Sequence, residues 1–589
     1  MLQDCLDVFK NLYKEKVNKL IVDNHIPADG TYVLISFDKD EGEIIDSFKI
    51  NYNKKTDKVE GRSNKYFKEV CNFDYNSKLI DMNKSIDRKK IIHSNNYLSF
   101  FIKKENLSNG KLTEAIIDNY YDILSNPYLK YNKPKAKEIY ESVENPLEEI
   151  DQELLEKMRN WIKENIFKLD ELDIEISGKD YLKIFIYLPL EKYECEGKRY
   201  LIPNIYNSND FNEKIKDKLY GIPNDNMNLN SKKPYLENKS RKIKVPYLVD
   251  NDEILIQKKF FDYLMNLATL GKVHLYIDDK IDAKKNGEVR EKDFQGMYMR
   301  LKKGTEVEIL AYDDITAYTY DLKNRIYFND VLELKDDLKT DVGYGTCINR
   351  TDLQILLNEV LFSKYLKNNY FADTKQISKS IKDSVIKENV LISREALFNW
   401  IFKGQEYGIY NILDKVSLEL IKNSLSKGNG TKASHQFNLR CALEVYFNGG
   451  KNMGDIIKDL KSNLKEKLSK EETDTFTSDE EYYFAIGQLA SYLLSQSKSK
   501  SKPHSLVNPF INTKNNDVIK KRLKNIYLKY NYNIYGKVVK NIYAMILSYA
   551  PVGRVNQDMI LAGYLHNNLI YESKKKENSK NKKEENSNG

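Results

Sequence analysis

The hydrophobic pattern of this 589-residue chain changes near residue 370. Before that point, helical stretches alternate with short apolar runs rich in β-branched and aromatic residues, which are typical of strands. These strand-like runs are Thr31 to Phe37, Tyr181 to Leu190, Lys272 to Asp278 and Thr305 to Tyr312. After that point, apolar residues recur only at helical spacing. The sequence therefore predicts an α+β region over residues 1–370 and an all-α helical bundle over residues 371–570.

Several long helices are expected in the second region. One is seen from Ser393, another begins at Met453, and a third begins at Ser478, which with Glu481 forms a capping box. A further helix has a regular apolar stripe, made by Ile519, Leu523, Ile526 and Tyr530. Short connections between such helices favour an antiparallel bundle. The charged tail over residues 571–589 has almost nothing to bury, so we expect it to be disordered.

Composition excludes several classes of protein. Charged residues make up 31% of the chain, no run of 18 apolar residues exists, and the N-terminus lacks the apolar core of a signal peptide. We therefore expect a soluble, cytoplasmic protein. The five cysteines and six histidines are scattered without metal-ligand spacing. Phosphate-loop, dinucleotide-binding, zinc-protease and nucleophile-elbow motifs are missing, so the sequence predicts no metal, no cofactor and no catalytic activity.

One carboxylate pair leaves an enzyme alternative open. Asp180 precedes the strand-like run at Tyr181, and Glu196 and Lys198 follow that run. Two carboxylates and a lysine at strand ends can hold Mg²⁺ and a water molecule, as in a metal-dependent nuclease. The alternative interpretation is a β-hairpin in which residues 194–198 form the solvated turn.

A second candidate is the polar segment over residues 221–248, where asparagines precede a cluster of basic residues. An asparagine amide donates and accepts at once and can address adenine in the major groove, while lysine and arginine neutralise phosphates. The alternative is an ordinary polar loop. The candidate contacts in this segment are Asn226, Asn228, Asn230, Lys232, Lys233 and Arg241.

The third group of candidate contact residues lies on both sides of an apolar run near residue 100. Asn95, Asn96 and Tyr97 lie before the run, and Lys103 and Lys104 lie at its end. Tyr97 is a candidate for stacking on a base, although an aromatic residue in such a setting is more often part of the core.

The fourth candidate is a strongly basic stretch between Lys498 and Arg554, which holds twelve basic residues and one acidic residue, Asp517. Its charge of +11 exceeds the +8 of the whole chain. A solvated helix face usually mixes charges of both signs, so this imbalance indicates a surface that binds a polyanion. The candidate backbone contacts are Lys498, Lys500, Lys502, Lys520, Lys521, Arg522 and Lys524.

Three separated groups of segments resemble one known family. They are HSNNYLSFFIKK, NMNLNSKKPYLENKSRK, and EEYYFAIGQLASYLLSQSKSKSKPHSL with the later AGYLHNNLIYE. Together they resemble the large subunit of the type I-B CRISPR Cascade complex. The resemblance implies a non-catalytic subunit that contacts the CRISPR RNA handle, recognises the protospacer-adjacent motif in double-stranded target DNA and stabilises the R-loop.

The resemblance also implies partners and a division of the chain. It implies a repeated backbone subunit, other Cascade subunits, a recruited helicase-nuclease, and a C-terminal helical domain similar to the small subunit of the complex. Base pairing with the guide would read sequence, while the protein would read the short adjacent motif and hold the displaced single strand. A general binder of single-stranded nucleic acid remains an alternative.

The stretch FNGGKNMGD over residues 447–455 suggests a second product of the same gene. Codons for Gly449 to Met453 in an AT-rich gene resemble a ribosome-binding sequence followed by a start codon, so Met453 is a candidate internal start. The resulting protein would be a separate small subunit. The alternative is a pair of helix-terminating glycines beside an ordinary methionine.

Overall fold

The computed structural model describes residues 2–16, 19–38, 41–53, 56, 58–144, 147–216, 218–223, 248–304, 306–340, 342–449, 453–470, 474–497, 507–534 and 536–572. The chain forms two compact units. Unit 1 consists of Met1–Asn286 with Gln295–Ile315, and unit 2 consists of Gly287–Phe294 with Thr316–Gly589. This division precedes the expected boundary near residue 370, because a β-hairpin ahead of the helices packs within unit 2.

The first part of the chain contains, in order, α1 (Leu2–Lys16), α2 (Lys19–Val22), β1 (Gly30–Ser36), β2 (Glu43–Asn53), β3 (Lys58–Glu60), α3 (Phe67–Ser77), β4 (Ser99–Lys103), α4 (Lys104–Ser108), α5 (Glu114–Ser125), α6 (Pro134–Glu144), α7 (Gln152–Asn165), β5 (Tyr181–Ile186), α8 (Leu190–Asn204), β6 (Glu213–Ile215), β7 (Lys218–Gly221), β8 (Val249–Asp250), α9 (Asn251–Thr269), β9 (Lys272–Ile277), β10 (Ile281–Lys285), β11 (Phe294–Lys303) and β12 (Val307–Tyr318).

The second part contains β13 (Asp321–Phe328), β14 (Gly345–Asn349), α10 (Arg350–Leu356), a π-helical turn (Leu357–Leu361), α11 (Thr374–Ser380), α12 (Ser384–Lys403), α13 (Ile409–Ser426), α14 (Gly430–Asn448), α15 (Met453–Ser469), α16 (Asp479–Ser495), α17 (Asn508–Ile511), α18 (Asn516–Tyr530), α19 (Lys537–Ser548) and α20 (Gln557–Leu565). The α+β class of the N-terminal region and the helical C-terminal region are thus as the sequence predicts.

Unit 1 is organised around a five-stranded sheet of order β3-β2-β1-β5-β4. Its central strands β1 and β5 run parallel, and both are buried along almost their whole length, as expected for strands covered on two faces. Gly30 begins β1 because a Cβ there would lie 2.2 Å from the carbonyl oxygen of Tyr181. A four-stranded sheet of order β10-β9-β11-β12 and a three-stranded sheet of order β6-β7-β8 complete the strands of this part. The four strand-like runs of the sequence correspond to β1, β5, β9 and β12.

The predicted hairpin after β5 is wrong. Residues 194–198 lie inside helix α8, which follows Pro189 at its N-cap. The helix buries Tyr193, Gly197 and Tyr200, whose spacing of four and three residues places them on one helical face. Gly197 lies at a close approach to α3, where a Cβ would be 2.9 Å from the carbonyl oxygen of Asn76.

Unit 2 is centred on helix α16, which is buried along most of its length and packs against α20. Two glycines allow a very close crossing: a Cβ at Gly487 would lie 2.2 Å from the carbonyl oxygen of Ile560, and one at Gly563 would lie 2.0 Å from that of Phe484. Gln488 is fully buried and joins the same two helices, because its side chain donates to the carbonyl oxygen of Gly563 at 2.7 Å. The segments AIGQL and AGYL of the family resemblance therefore form the tightest part of the helical core.

Among the residues that the structure describes, none of the helices combines the length and the apolar character needed to cross a lipid bilayer.

Candidate nucleic-acid interface

Helices α18 and α19 pack side by side in opposite directions. Near the start of α18, Lys520 donates from Nζ to the carbonyl oxygens of Leu547 and Tyr549 at the end of α19, at 3.1 and 2.5 Å. Further along, the rings of Tyr527 and Tyr543 stack with centroids 4.0 Å apart and planes 6° apart. A cation at a helix C-terminus is favourable because the last carbonyl groups carry partial negative charge. Lys520 therefore links the start of α18 to the C-terminal end of α19.

Five lysines project from this helix pair into solvent, and we call them the basic surface: Lys521, Lys524, Lys529, Lys537 and Lys540. On α18, burial of Ile519 and Leu523 leaves Lys521 and Lys524 on the outer side of the helix. None of the five forms an ion pair with any residue described in the structure. The result is a concentration of five lysines on two helices whose described residues include a single carboxylate, Asp517, in the first turn of α18.

Several lysines elsewhere in unit 2 form ion pairs. On helix α15, Lys465 pairs with Glu572 at 3.0 Å and Lys467 with Glu481 at 2.7 Å. Just after the helix, Lys470 pairs with Asp474 at 2.9 Å. Lys461 is also paired, with Glu333. The five lysines of the basic surface differ from these in that they lie together on two neighbouring helices and form no ion pair with a described residue. An unbalanced surface of this kind attracts polyanions and increases their rate of association.

The predicted backbone contacts separate into three groups. Lys521 and Lys524 are exposed as predicted, whereas Lys520 caps α19 and Arg522 donates from its guanidinium to the carbonyl oxygen of Pro509. Lys498, Lys500 and Lys502 lie outside the described residues. Lys529, Lys537 and Lys540 are not among the predicted contacts. The buried Val538, Val539 and Ile542 nevertheless give the period that directs Lys537 and Lys540 outward.

The asparagine pair before β4 has an internal role. Asn95 and Asn96 are 4% and 1% exposed. The amide of Asn95 donates to the carbonyl oxygens of Asn76 and Lys78 at 3.0 and 2.9 Å, and the amide oxygen of Asn96 accepts from the backbone N–H of Leu98 at 3.0 Å. Their hydrogen-bonding groups fix the entry into β4 and are unavailable to a base in this conformation.

Tyr97 is buried in the core of unit 1, and this burial raises the pKa of its hydroxyl. Tyr97 is therefore part of the core, as the alternative interpretation predicts, and is not exposed for stacking on a base. Lys104 is also fully buried and pairs with Asp180 at 3.0 Å, while the half-exposed Lys103 lies 3.7 Å from Glu105. The ion pair of Lys104 joins the end of β4 to the start of β5.

The nuclease alternative finds no support in the geometry. Asp180 is paired with Lys104, and Glu196 is buried on α8, where both of its carboxylate oxygens accept from Nε of Arg199 at 3.1 and 3.0 Å. Burial raises the pKa of Glu196, and the charge of Arg199 opposes this shift. Within the described part of the chain, no three His, Cys, Asp or Glu side chains are grouped so that they could hold a metal ion.

The candidate motif-reading residues Asn226, Asn228, Asn230, Lys232, Lys233 and Arg241 lie outside the described residues. The strands that flank them are described: β7 and β8 pair antiparallel, with Tyr220 opposite Asp250 and Gly221 opposite Val249. The described residues on either side of this segment therefore lie next to each other in the sheet. The backbone N–H of Asn207 donates to the carbonyl oxygen of Ile222 at 2.8 Å. This hydrogen bond connects the end of β7 to the residues that follow α8.

No protein-family model, curated protein or solved structure matches this chain. The assignment to a family therefore stays a prediction that depends on the resemblance of the quoted segments. Two of those segments meet in the structure, because AIGQL lies in α16 and AGYL in α20. Their close packing gives a structural reason for the glycines in both segments.

Proposed function

We propose that this chain is the non-catalytic large subunit of a type I-B CRISPR Cascade complex. In this role unit 1 contacts the RNA handle and the adjacent motif, with the segment over residues 224–247 as the reader of the motif. The helical unit 2 holds the displaced strand of the R-loop. The complex as a whole then recruits a separate helicase-nuclease.

The basic surface is the observation that carries the nucleic-acid part of this proposal. Its lysines lie on two neighbouring antiparallel helices and have no carboxylate partners among the described residues, whereas Lys461, Lys465 and Lys467 of α15 are paired. Phosphates would supply the missing negative charge, with release of condensed counterions as the driving force. The choice of Cascade over other nucleic-acid binders depends on the resemblance of the segments.

The salt dependence of binding tests the basic surface. We expect the Lys521→Gln/Lys524→Gln variant to bind a single strand more weakly, with the slope of log affinity against log salt lowered by about 0.7 for each lost contact. The matched control is Lys465→Gln/Lys470→Gln, which removes the same charge from two paired positions, one on α15 and one just after it. Equal slopes for the test variant and the wild-type protein would refute this role of the surface.

Copurification separates a Cascade subunit from a general single-strand binder, which the same surface would also suit. The full chain, expressed with its neighbouring genes, should recover a repeated subunit and a short RNA of defined sequence. Binding to duplex DNA should then depend on the adjacent motif and on complementarity to that RNA. Tight binding to any single strand without guide or partner would favour the general binder.

The internal start at Met453 is a further part of the proposal. Gly449 ends α14 with a φ of 63°, and Met453 begins α15, so the structure places a helix boundary at the candidate start. A helix stop requires Gly449 alone, which leaves the rest of the pattern to be explained. The test is to express the untagged gene with synonymous codons for Gly449 and Gly450, and separately with Met453→Leu. Loss of a fragment of residues 453–589 in both variants is expected, and its persistence in both would refute the start.

A further inference from the structure

A cavity of about 440 Å³ lies in unit 1 between helix α3 and the connection from β5 to α8. Four residues of α3 line it together with residues 187–190, and these four are Lys68, Glu69, Asn72 and Phe73. The cavity therefore lies beyond the carboxyl end of β5, which runs parallel to β1. Ligands of open α/β sheets bind outside the carboxyl ends of the strands, and the volume suits a small planar molecule such as a nucleobase.

Tyr187 gives this cavity an exposed aromatic ring. Its backbone N–H donates to the carbonyl oxygen of Ile35 at 2.8 Å, which fixes the residue directly after β5. Its ring meets those of Tyr66 and Phe73 at steep angles of 67° and 74°, with centroids 5.3 and 6.5 Å apart. Tyr187 is nevertheless 42% exposed. A ring that its neighbours hold in place and that remains open to a cavity is a platform on which a base can stack.

Glu69 supplies the cavity with a hydrogen-bond acceptor that the described residues do not use. The Oε2 atom of its carboxylate is shielded from solvent and forms no hydrogen bond within the described part of the chain. A shielded carboxylate oxygen that lacks a donor costs free energy, and a ligand that brings an N–H group would remove this cost. The acceptor therefore indicates a ligand with a hydrogen-bond donor.

Two lysines border the aromatic part of the cavity. The ammonium group of Lys65 lies 4.6 Å from the centroid of the Tyr66 ring, and Lys68 lines the cavity itself. Both lysines are exposed, and neither forms an ion pair with a described residue. They can therefore neutralise the phosphates on either side of a base in the cavity. Positive charge beside a stacking ring is the combination with which proteins hold single strands.

We propose that this cavity binds one unpaired base of a nucleic-acid strand, with Tyr187 stacking on the base and Glu69 accepting from its amino group. Lys65 and Lys68 contact the adjacent phosphates. Cytosine, adenine and guanine carry an exocyclic amino group, whereas uracil and thymine do not. The cavity should therefore prefer a base with an amino group. Only the choice of a strand over a free nucleotide rests on the proposed function.

The experiment measures binding of the full chain to a short oligouridine strand and to the same strand with one uridine replaced by cytidine. We expect the wild-type protein to bind the cytidine strand about fivefold more tightly, as for one base contact. Glu69→Gln should remove most of this preference, because an amide can also donate to the carbonyl groups of uracil. Its melting temperature should not fall, since the change removes a partly buried charge. The matched control is Glu164→Gln, an equal charge change at an exposed position of α7, which should keep the preference.

Variants of Tyr187 test the stacking. We expect Tyr187→Leu to weaken binding of both strands about tenfold, whereas Tyr187→Phe should keep the wild-type affinity because it retains the ring. The matched control is Tyr312→Leu, which removes an exposed tyrosine of β12 in the same unit. When 5-iodocytidine replaces the cytidine, irradiation should cross-link it to Tyr187 or Tyr66, and cytidine monophosphate is added as a competitor.

The outcomes separate this site from the proposed function. Competition by cytidine monophosphate at the affinity of the strand identifies a free nucleotide as the source of the base, weaker or absent competition identifies the strand, and both support the site. Equal binding of the two strands by the wild-type protein, or equal affinities of Tyr187→Leu and Tyr312→Leu, would overturn the site. The proposed function would then still stand if Lys521→Gln/Lys524→Gln weakened binding. A preference for cytidine that persists in that variant supports the site even where the salt test of the basic surface fails.

Discussion

The crossing of α16 and α20 makes Gly563→Ala a demanding test of the helical core. The new Cβ would lie 2.0 Å from the carbonyl oxygen of Phe484, 2.9 Å from its carbonyl carbon and 3.1 Å from its Cα, all of them backbone atoms. Ordinary contact begins at 3.4 Å, so the helices would have to separate by about 1.4 Å along this line. A separation of that size also stretches the 2.7 Å hydrogen bond from Gln488 to Gly563.

The expected loss of stability is the difference between two costs and one gain. Overpacking against atoms that cannot rotate away costs about 1–3 kcal/mol or more, and the weakened hydrogen bond of the buried Gln488 adds about 1 kcal/mol. Alanine returns roughly 1 kcal/mol because it is the better helix former. We therefore expect a net loss of about 1–3 kcal/mol, which corresponds to a fall of roughly 2–12 °C in the melting temperature of a unit of this size.

The assay is urea unfolding followed by circular dichroism, with hydrogen exchange of α16 and α20 to locate the change. The control is Gly430→Ala at the start of α14, where an added Cβ meets nothing within 4 Å. This variant should be neutral or slightly stabilising. The reasoning would be refuted if the two variants unfolded at the same urea concentration, because the close crossing could not then exist.

Three further predictions concern other sites. Glu481→Gln leaves the buried Lys467 without its ion-pair partner, and urea unfolding should show a loss of about 3 kcal/mol; a loss below 1 kcal/mol would show that the pair is dispensable. The pKa of Lys130 is about 8 in the folded protein against 10.5 ordinarily, so the unfolded chain holds more protons in that interval. Stability of unit 1 should therefore rise between pH 8 and 10.5 and should rise less in Lys130→Met, and parallel pH profiles of the two proteins would contradict this. Replacing Asn226, Asn228 or Asn230 with Ala should reduce discrimination between adjacent motifs by roughly 1–3 kcal/mol for each lost base contact, measured on a library of motifs, and unchanged preference in all three would assign the reading elsewhere.

Elements with a clear apolar period could be predicted from the sequence. The regions of β1, β5 and α18 agree closely, and Ser478 caps α16 by accepting from the N–H of Glu481 at 3.2 Å. The apolar pattern predicts a start of α12 at Ser393, whereas the helix begins at Ser384 after Asp383, whose side chain accepts from two N–H groups of the first turn. That cap is a local signal, which the apolar pattern alone does not include.

The roles of polar residues could be predicted only where they depend on local spacing. The outward position of Lys521 and Lys524 follows from the neighbouring apolar stripe on the same helix. In contrast, Asn95 bonds to residues 17 and 19 positions away, and Lys104 pairs with Asp180 at a separation of 76. Such partners are brought together by the tertiary fold, and a list of amides and lysines cannot distinguish a base reader from a residue that supports a strand.

Whether residues 453–589 can fold alone depends on how many of their core contacts and ion pairs lie within that segment. All but seven of the buried residues in the core of the helical bundle lie after Met453. Few ion pairs would be broken in the separate fragment. Lys461 would lose Glu333, and Asp558 would lose Arg440, with which it pairs at 2.8 Å. In the fragment, Asp558 would be exposed to water, which costs little free energy. In the full chain, Arg440 is buried and depends on acidic partners.

Asp558→Asn should therefore destabilise the full chain by about 2 kcal/mol or more, since Arg440 keeps only Asp414 at 2.6 Å as an acidic partner. The same substitution should be nearly neutral in the separate fragment, because that fragment contains no Arg440. Urea unfolding of the four proteins gives the comparison. A fragment that does not unfold cooperatively, or one that Asp558→Asn destabilises as much as the full chain, would argue against an autonomous C-terminal product.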